Sequence, residues 1–159
     1  MQEQQLLNQM IALSQKKLEL IEKLRTLSEK QNQAFHDKAL DGIENILSQK
    51  DEVIGYIHKL DDAFLSVSEN LKEMLGINSL EALSGTSLDG RQQLKEVINE
   101  ITRVIETIIS LEQHSYQNAS EMKSELGDKI KGVNAGKKVA TAYTVKPASS
   151  PSYFFDKKK

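Results

Sequence analysis

From Leu6 to Phe35 the apolar residues recur mostly at steps of three and four with polar residues between them: Leu6/Leu7, Met10/Ile11, Leu13, Leu18, Leu20/Ile21, Leu24 and Leu27. That spacing follows the turn of an α-helix and predicts a long amphipathic helix. The stretch "HDKALDG" interrupts it, because Asp37, Asp41 and Gly42 favour turn and capping conformations. A second stripe runs from Ile43 through Ile46/Leu47, Val53/Ile54, Ile57, Leu60, Phe64, Val67 and Leu71 to Met74/Leu75, and stops at Gly76, a natural helix terminator. A third opens near Asp89 with Leu94, Val97/Ile98, Ile101, Val104/Ile105, Ile108/Ile109 and Leu111. Between the second and third lies "GINSLEALSGTSLDG", where Leu80 and Leu83 are placed to pin a short turn of helix onto the rest.

The third stripe weakens along its length. Tyr116, Ala119, Met122, Leu126 and Ile130 are thinly spaced among polar residues, and Gly127, Gly132 and Gly136 each disfavour helix by roughly 1 kcal/mol relative to Ala. Three helices of about 30 to 40 residues make rods of roughly 45 to 60 Å. None of them can bury its stripe alone. The fold expected is therefore all-α: an elongated antiparallel bundle of three long helices spanning residues 1–132, followed by a C-terminal tail, 133–159, that is flexible or ordered by a partner. Self-association through a leftover apolar stripe stays open.

Composition agrees with helices packed side by side. Aromatics make up 5% and Trp is missing, few for a deep globular core, while 28% of residues are charged. The net charge of -2 hides an asymmetry. Residues 127–159 carry eight Lys and two Asp, a net +6, which leaves -8 on residues 1–126. An acidic body with a basic tail marks an interaction segment. With no cysteine there are no disulfides or thiolate metal sites. The N-terminal "MQEQQLLNQM" lacks a signal-peptide pattern, and no apolar run is long enough to span a membrane. A cytoplasmic protein is expected.

Catalytic and cofactor chemistry finds no support in these residues. His36, His58 and His114 lie on different segments, and none has a second His at helical metal-binding spacing. His58 comes nearest, with Asp61 and Asp62 three and four residues on, a thin ligand set more in keeping with a polar boundary histidine. Phosphate-loop and nucleophile-elbow motifs are missing. Asp51, Glu52, Asp61 and Asp62, interspersed with Lys50 and Lys59, read as a solvated, salt-bridged helix face. A non-enzyme without metal or cofactor is expected.

The tail "GKKVATAYTVKPASSPSYFFDKKK" holds Tyr143, Tyr153, Phe154 and Phe155, half of the eight aromatics in the chain. Its Gly, Lys, Ser and Pro content suits a disordered end, but solvating tails normally lack aromatics. Two protein-binding readings compete with simple disorder: a strand added to a partner's sheet edge through Val139, Thr141, Tyr143 and Val145, or aromatic anchors in an apolar groove with lysines on acidic surface. Nucleic-acid binding is the rival from another class, and the lack of arginine in the tail and the acidity of the body weigh against it. Binding to a membrane surface through "SYFFDKKK" is a further alternative.

The stripe "LLNQMIALSQKKLELIEKL", the segment "ALDGIENILSQKDEVIGYIHKLD", the helix "LKEVINEITRVIETIISLEQHSYQNASEMKSEL" and the lysine- and aromatic-bearing ending together resemble the FlgN family of flagellar type III export chaperones. The resemblance covers essentially the whole chain. It implies a substrate-specific chaperone for the hook-filament junction proteins FlgK and FlgL. Such a chaperone binds their C-terminal helical segments, prevents premature assembly and delivers them to the export gate through the cytoplasmic domain of FlhA. On this chain it places cargo along the later part of the third helix and the residues just beyond it, with Leu111, Tyr116, Met122, Leu126, Ile130 and Val133 as anchors. It places gate or partner contacts at Tyr143, in the position of a family tyrosine, and at Tyr153, Phe154 and Phe155 in the extended ending. The alternative is a coiled-coil scaffold or homo-oligomeric interaction protein with no chaperone role.

Overall fold

The computed structural model describes residues 2–125. Three long helices dominate: α1 (Gln2–His36), α2 (Ile43–Leu75) and α3 (Arg91–Glu125). Their 35, 33 and 35 residues make rods of about 50 Å. Short 3₁₀ turns occupy the connections, Leu40–Gly42 and Leu80–Gly85. There is no strand among the described residues. The all-α bundle expected from the three stripes is what forms. The division expected at residue 132 lies outside the described residues.

The interruptions fall where local chemistry demands. After Leu75, Gly76 takes the left-handed conformation (φ 67°) that suits glycine, and Gly76 and Ile77 donate back to the carbonyls of Glu73 and Lys72 at 3.2 and 3.0 Å. The same hydrogen-bond pattern ends α1, but there the left-handed residue is Lys38 (φ 57°), with Lys38 and Ala39 donating to Phe35 and Ala34. α3 starts from Gly90 (φ 95°), where an added Cβ would lie 2.7 Å from Ile11 Cδ1. The side chain of Gln4 grips the adjoining turn from α1. Its amide donates to the Asp89 carbonyl (2.8 Å), and its oxygen accepts from the Asp89 N–H (3.0 Å).

α1 and α2 run antiparallel, Lys17 meeting Asp61 and Gln31 meeting Lys50. α3 returns parallel to α1, with Gln4 beside Asp89, Ser28 beside Glu112 and Asn32 beside Ser115. α1 packs closely along both neighbours, whereas the backbones of α2 and α3 scarcely approach one another. The first helix is thus the spine of the bundle.

The buried residues of α1 include an unbroken three-four series: Leu7, Met10, Ser14, Lys17, Ile21, Leu24, Ser28, Gln31 and Phe35. Four of these nine are polar. The core accordingly divides into three apolar clusters. One, centred on Leu7, Met10, Phe64, Leu71 and Leu94, is closed by Leu83 and Leu88 of the connection. A middle cluster joins Ile21, Leu24, Val53, Ile57, Ile101 and Ile105. A small third one holds Phe35, Ile43, Ala119 and Met122. Leu83, 3% exposed, and the half-buried Leu80 pin the connection as expected.

The solvated face expected on α2 is only partly found. Asp51, Glu52, Lys59 and Asp62 are exposed, but Lys50 and Asp61 are buried at 3% exposure each, because they point inward at heptad positions.

Candidate partner-binding surfaces

Because α1 holds both neighbours while α2 and α3 stay apart, a groove of about 730 Å³ opens between the later half of α2 and the start of α3. Phe64, Leu83, Leu88, Leu94 and Ile98 give it a buried apolar lining, to which the half-buried Leu65 contributes. Charges stand around it. Lys72 pairs with Glu69 at 3.1 Å, while Arg91 donates through Nε to the Leu88 carbonyl (2.7 Å) and through a terminal nitrogen to the Ser84 carbonyl (3.0 Å). Arg91 therefore holds the connection in place over one end of the groove. An apolar trough with a mixed-charge margin is suited to helix-on-helix packing.

The second surface is the later part of α3, where the family resemblance places cargo contacts. Leu111 is half-buried there, and Tyr116 is 40% exposed. Met122, only 8% exposed, packs into the third cluster with Phe35 and Ile43, so in this conformation the bundle itself uses it. Leu126, Ile130 and Val133, and with them Tyr143, Tyr153, Phe154 and Phe155, lie outside the described residues. The α1–α3 register, an offset of 83 to 86 residues in the polar contacts, brings His36 opposite residues 119–122. The last residues of α3 therefore pass the end of α1.

Two polar layers cross the core between the apolar clusters. In the first, Lys17 Nζ lies 2.7 Å from Asp61 Oδ1, both side chains all but fully buried. Burial pushes the lysine below its ordinary range and the carboxyl above its own, and their mutual attraction offsets this only in part. In the second, Lys50 pairs with Glu112 and donates to Gln31 Oε1 (2.7 Å), while Ser28 donates to Glu112 (3.0 Å). Burial depresses the Lys50 pKa as well, against the pull of Glu112. Ser14 Oγ, Asp61 Oδ2, Gln31 Nε2 and Glu112 Oε2 are buried without a hydrogen-bond partner.

Among the described residues no group of three His, Asp or Glu side chains could hold a metal ion, and Asp61, the nearest ligand candidate to the exposed His58, is committed to Lys17. No described helix is long and apolar enough to cross a membrane. Sequence pattern alone missed both the groove and the buried charges. Leu88 with Leu80 and Leu83 was a legible hint of a connection that folds onto the bundle. Lys17 in unbroken three-four step with Ser14 and Ile21 was the signal for a charge in the core.

Compared with models of known protein families, residues 1–143 match the one described as FlgN protein. No curated protein and no solved structure matches the chain significantly.

Proposed function

The chain belongs to the FlgN family of flagellar export chaperones, and from that premise we propose that it binds the C-terminal helical segments of the junction proteins FlgK and FlgL in the cytoplasm, keeps them from assembling early, and carries them to the FlhA domain of the export gate. The observation that carries this reading is the family match over residues 1–143, which takes in all three helices and Tyr143.

Cargo binds the later part of α3, at Leu111, Tyr116 and Met122, and the residues that follow it in sequence, Leu126, Ile130 and Val133. What supports this placement is the register. α3 runs past the end of α1 over residues 123–125, which leaves room beside it for a cargo helix. A chaperone of this kind needs no reactive group. It needs an apolar face that stands in for the cargo's own assembly partner, and contacts weak enough to release it. Tyr143 and the Tyr153–Phe155 aromatics then serve the export gate, or another protein partner, rather than the cargo.

Calorimetric titration with FlgK from the same organism tests both assignments. The full chain binds FlgK, and Leu126→Asp with Ile130→Asp weakens that binding at least about tenfold, as expected for loss of central apolar anchors. Tyr143→Ala leaves FlgK binding unchanged and weakens binding to the FlhA cytoplasmic domain. Failure of the full chain to bind FlgK or FlgL overturns the cargo assignment. Equal weakening of both partners by Tyr143→Ala overturns the division of labour.

A further inference from the structure

The heptad series of α1 repeats itself: two apolar positions, two polar ones, then the same again fourteen residues on, with Ser14 and Lys17 answered by Ser28 and Gln31. Apolar matching alone therefore does not define how far α2 is pushed along α1. A slip of two heptads would set apolar residues against apolar residues again.

The charges remove that ambiguity. In the native register Asp61 faces Lys17, and Lys50 faces Gln31 and Glu112. Slipping α2 by one heptad in either direction brings Asp61 level with Met10 or Leu24, both buried apolar residues. A two-heptad slip in one direction sets Lys50 against Lys17, like charge on like charge inside the core. The opposite two-heptad slip sets Asp61 against Gln31 and carries Lys50 past the end of α1. Each alternative leaves a buried charge unpaired, which is far more costly than a lost apolar contact.

The layers are poor candidates for stabilising devices. Three of their polar atoms, Asp61 Oδ2, Gln31 Nε2 and Glu112 Oε2, are buried without a hydrogen-bond partner, and desolvation outweighs attraction at both lysines. Buried ion pairs of this kind are often no better than apolar residues of the same volume, and their best-attested use is to select one register or one assembly.

We propose that the Lys17–Asp61 and Lys50–Glu112–Gln31 layers are register keys, which fix the axial alignment of α2 against α1 and α3 and close the core to slipped or intermolecular pairings with other helices. The inference does not depend on the export reading. It suits any chain whose work is to offer helical surface to foreign helices, since its own core must refuse them.

The chain has no cysteine, so a single pair of introduced ones can be labelled cleanly. Spin labels at Gln9→Cys and Glu52→Cys, both exposed sites, report the α1–α2 alignment, and one heptad of slip moves them by about 10 Å along the axis. The labelled chain gives one distance and one sedimenting species. In the fourfold variant Lys17→Met/Asp61→Leu/Lys50→Met/Glu112→Leu the melting temperature is held or raised. That variant also shows either a second distance displaced by a heptad multiple or concentration-dependent assembly. Each single-layer variant, Lys17→Met/Asp61→Leu or Lys50→Met/Glu112→Leu, shows the same in lesser degree. A fourfold variant that retains one distance and one species overturns the proposal, because the apolar pattern then suffices for register. A variant that no longer folds overturns it too, since the layers would then serve stability.

Discussion

At the end of the bundle where α1 begins, α2 stops and α3 starts, the helices are roofed by the connection. Leu83 and Leu88 enter the core beside Leu7, Met10, Leu71 and Leu94, and Gln4 and Arg91 tie the chain down by hydrogen bonds to its backbone. At the opposite end four buried apolar residues, Phe35, Ile43, Ala119 and Met122, stand next to a polar cluster in which Asn118 and Ser115 both donate to Asn32. The connection at that end, residues 37–42, is exposed along its whole length and buries no side chain in the core, and α3 runs past α1 there. The difference teaches where each part of the molecule is committed: at the roofed end the connection is built into the core, while at the open end the connection adds nothing to it, and the proposed cargo contacts lie toward that end.

The comparison is most directly broken by cutting the same amount of core at each end. Leu71→Ala at the roofed end, where the side chain is fully buried, is expected to cost about 2 to 5 kcal/mol of unfolding free energy, because the surrounding residues are held from several sides and the cavity cannot collapse. Met122→Ala at the open end is expected to cost about 2 kcal/mol or less, since a terminal turn can settle into the space. Urea unfolding of the two variants measures both. Equal losses would show that the open end is as tightly built as the roofed one, and the distinction would fail.

A smaller effect sharpens the role of the roof. Gly90→Ala introduces a side chain where φ is 95° and where the new Cβ would come 2.7 Å from Ile11 Cδ1. The methyl end of Ile11 can shift, so the backbone conformation decides the outcome, at about 1 to 3 kcal/mol. Gly85→Ala, in the same connection with open space around it, serves as the control. A Gly90→Ala protein as stable as this control would mean that the close approach of α3 to α1 is not a constraint.

The three stripes and their punctuation were legible because helix period and turn residues are local properties. Leu6 to Leu27, Gly76 and the Leu80/Leu83 pin fall where the pattern puts them. The spacing of apolar residues did not reveal Lys17, Ser28, Gln31, Lys50 or Asp61 as core positions, since a scan for apolar residues passes over polar ones even when the three-four step is unbroken. Linear adjacency groups Lys50 and Asp61 with their exposed neighbours Asp51 and Asp62 as one solvated face, because it hides which side of the helix each residue occupies. The groove was illegible for a different reason. It exists because α2 and α3 stay apart, a tertiary fact that no single helix encodes. Of the proposed cargo anchors, Met122 was legible as an apolar position but not as one already taken by Phe35 and Ile43.

The shallowest effect concerns the layer that separates the roofed end from the middle, and its sign can be worked out. Asp61 faces Lys17 across the helices and has His58 and Asp62 nearby on its own, and burial still holds its carboxyl above the ordinary 3.8. Between that value and the folded pKa the native chain keeps a proton that the unfolded chain has released, so this group's contribution falls as pH rises through the window. Lys17 is held below its ordinary 10.5. From the folded pKa up to that value the unfolded chain binds more protons, so the contribution rises with pH. Lys17→Met/Asp61→Leu removes both slopes while leaving Lys50 and Glu112 in place. The stability of the wild type minus that of the double variant, measured by urea unfolding from about pH 4 to about pH 10, is therefore expected to be lowest near neutrality and to climb toward both extremes. A difference that peaks near neutrality would mean that attraction within the pair outweighs its desolvation. The layer would then stabilise the bundle, and its presence between two well-packed apolar clusters would need no further explanation.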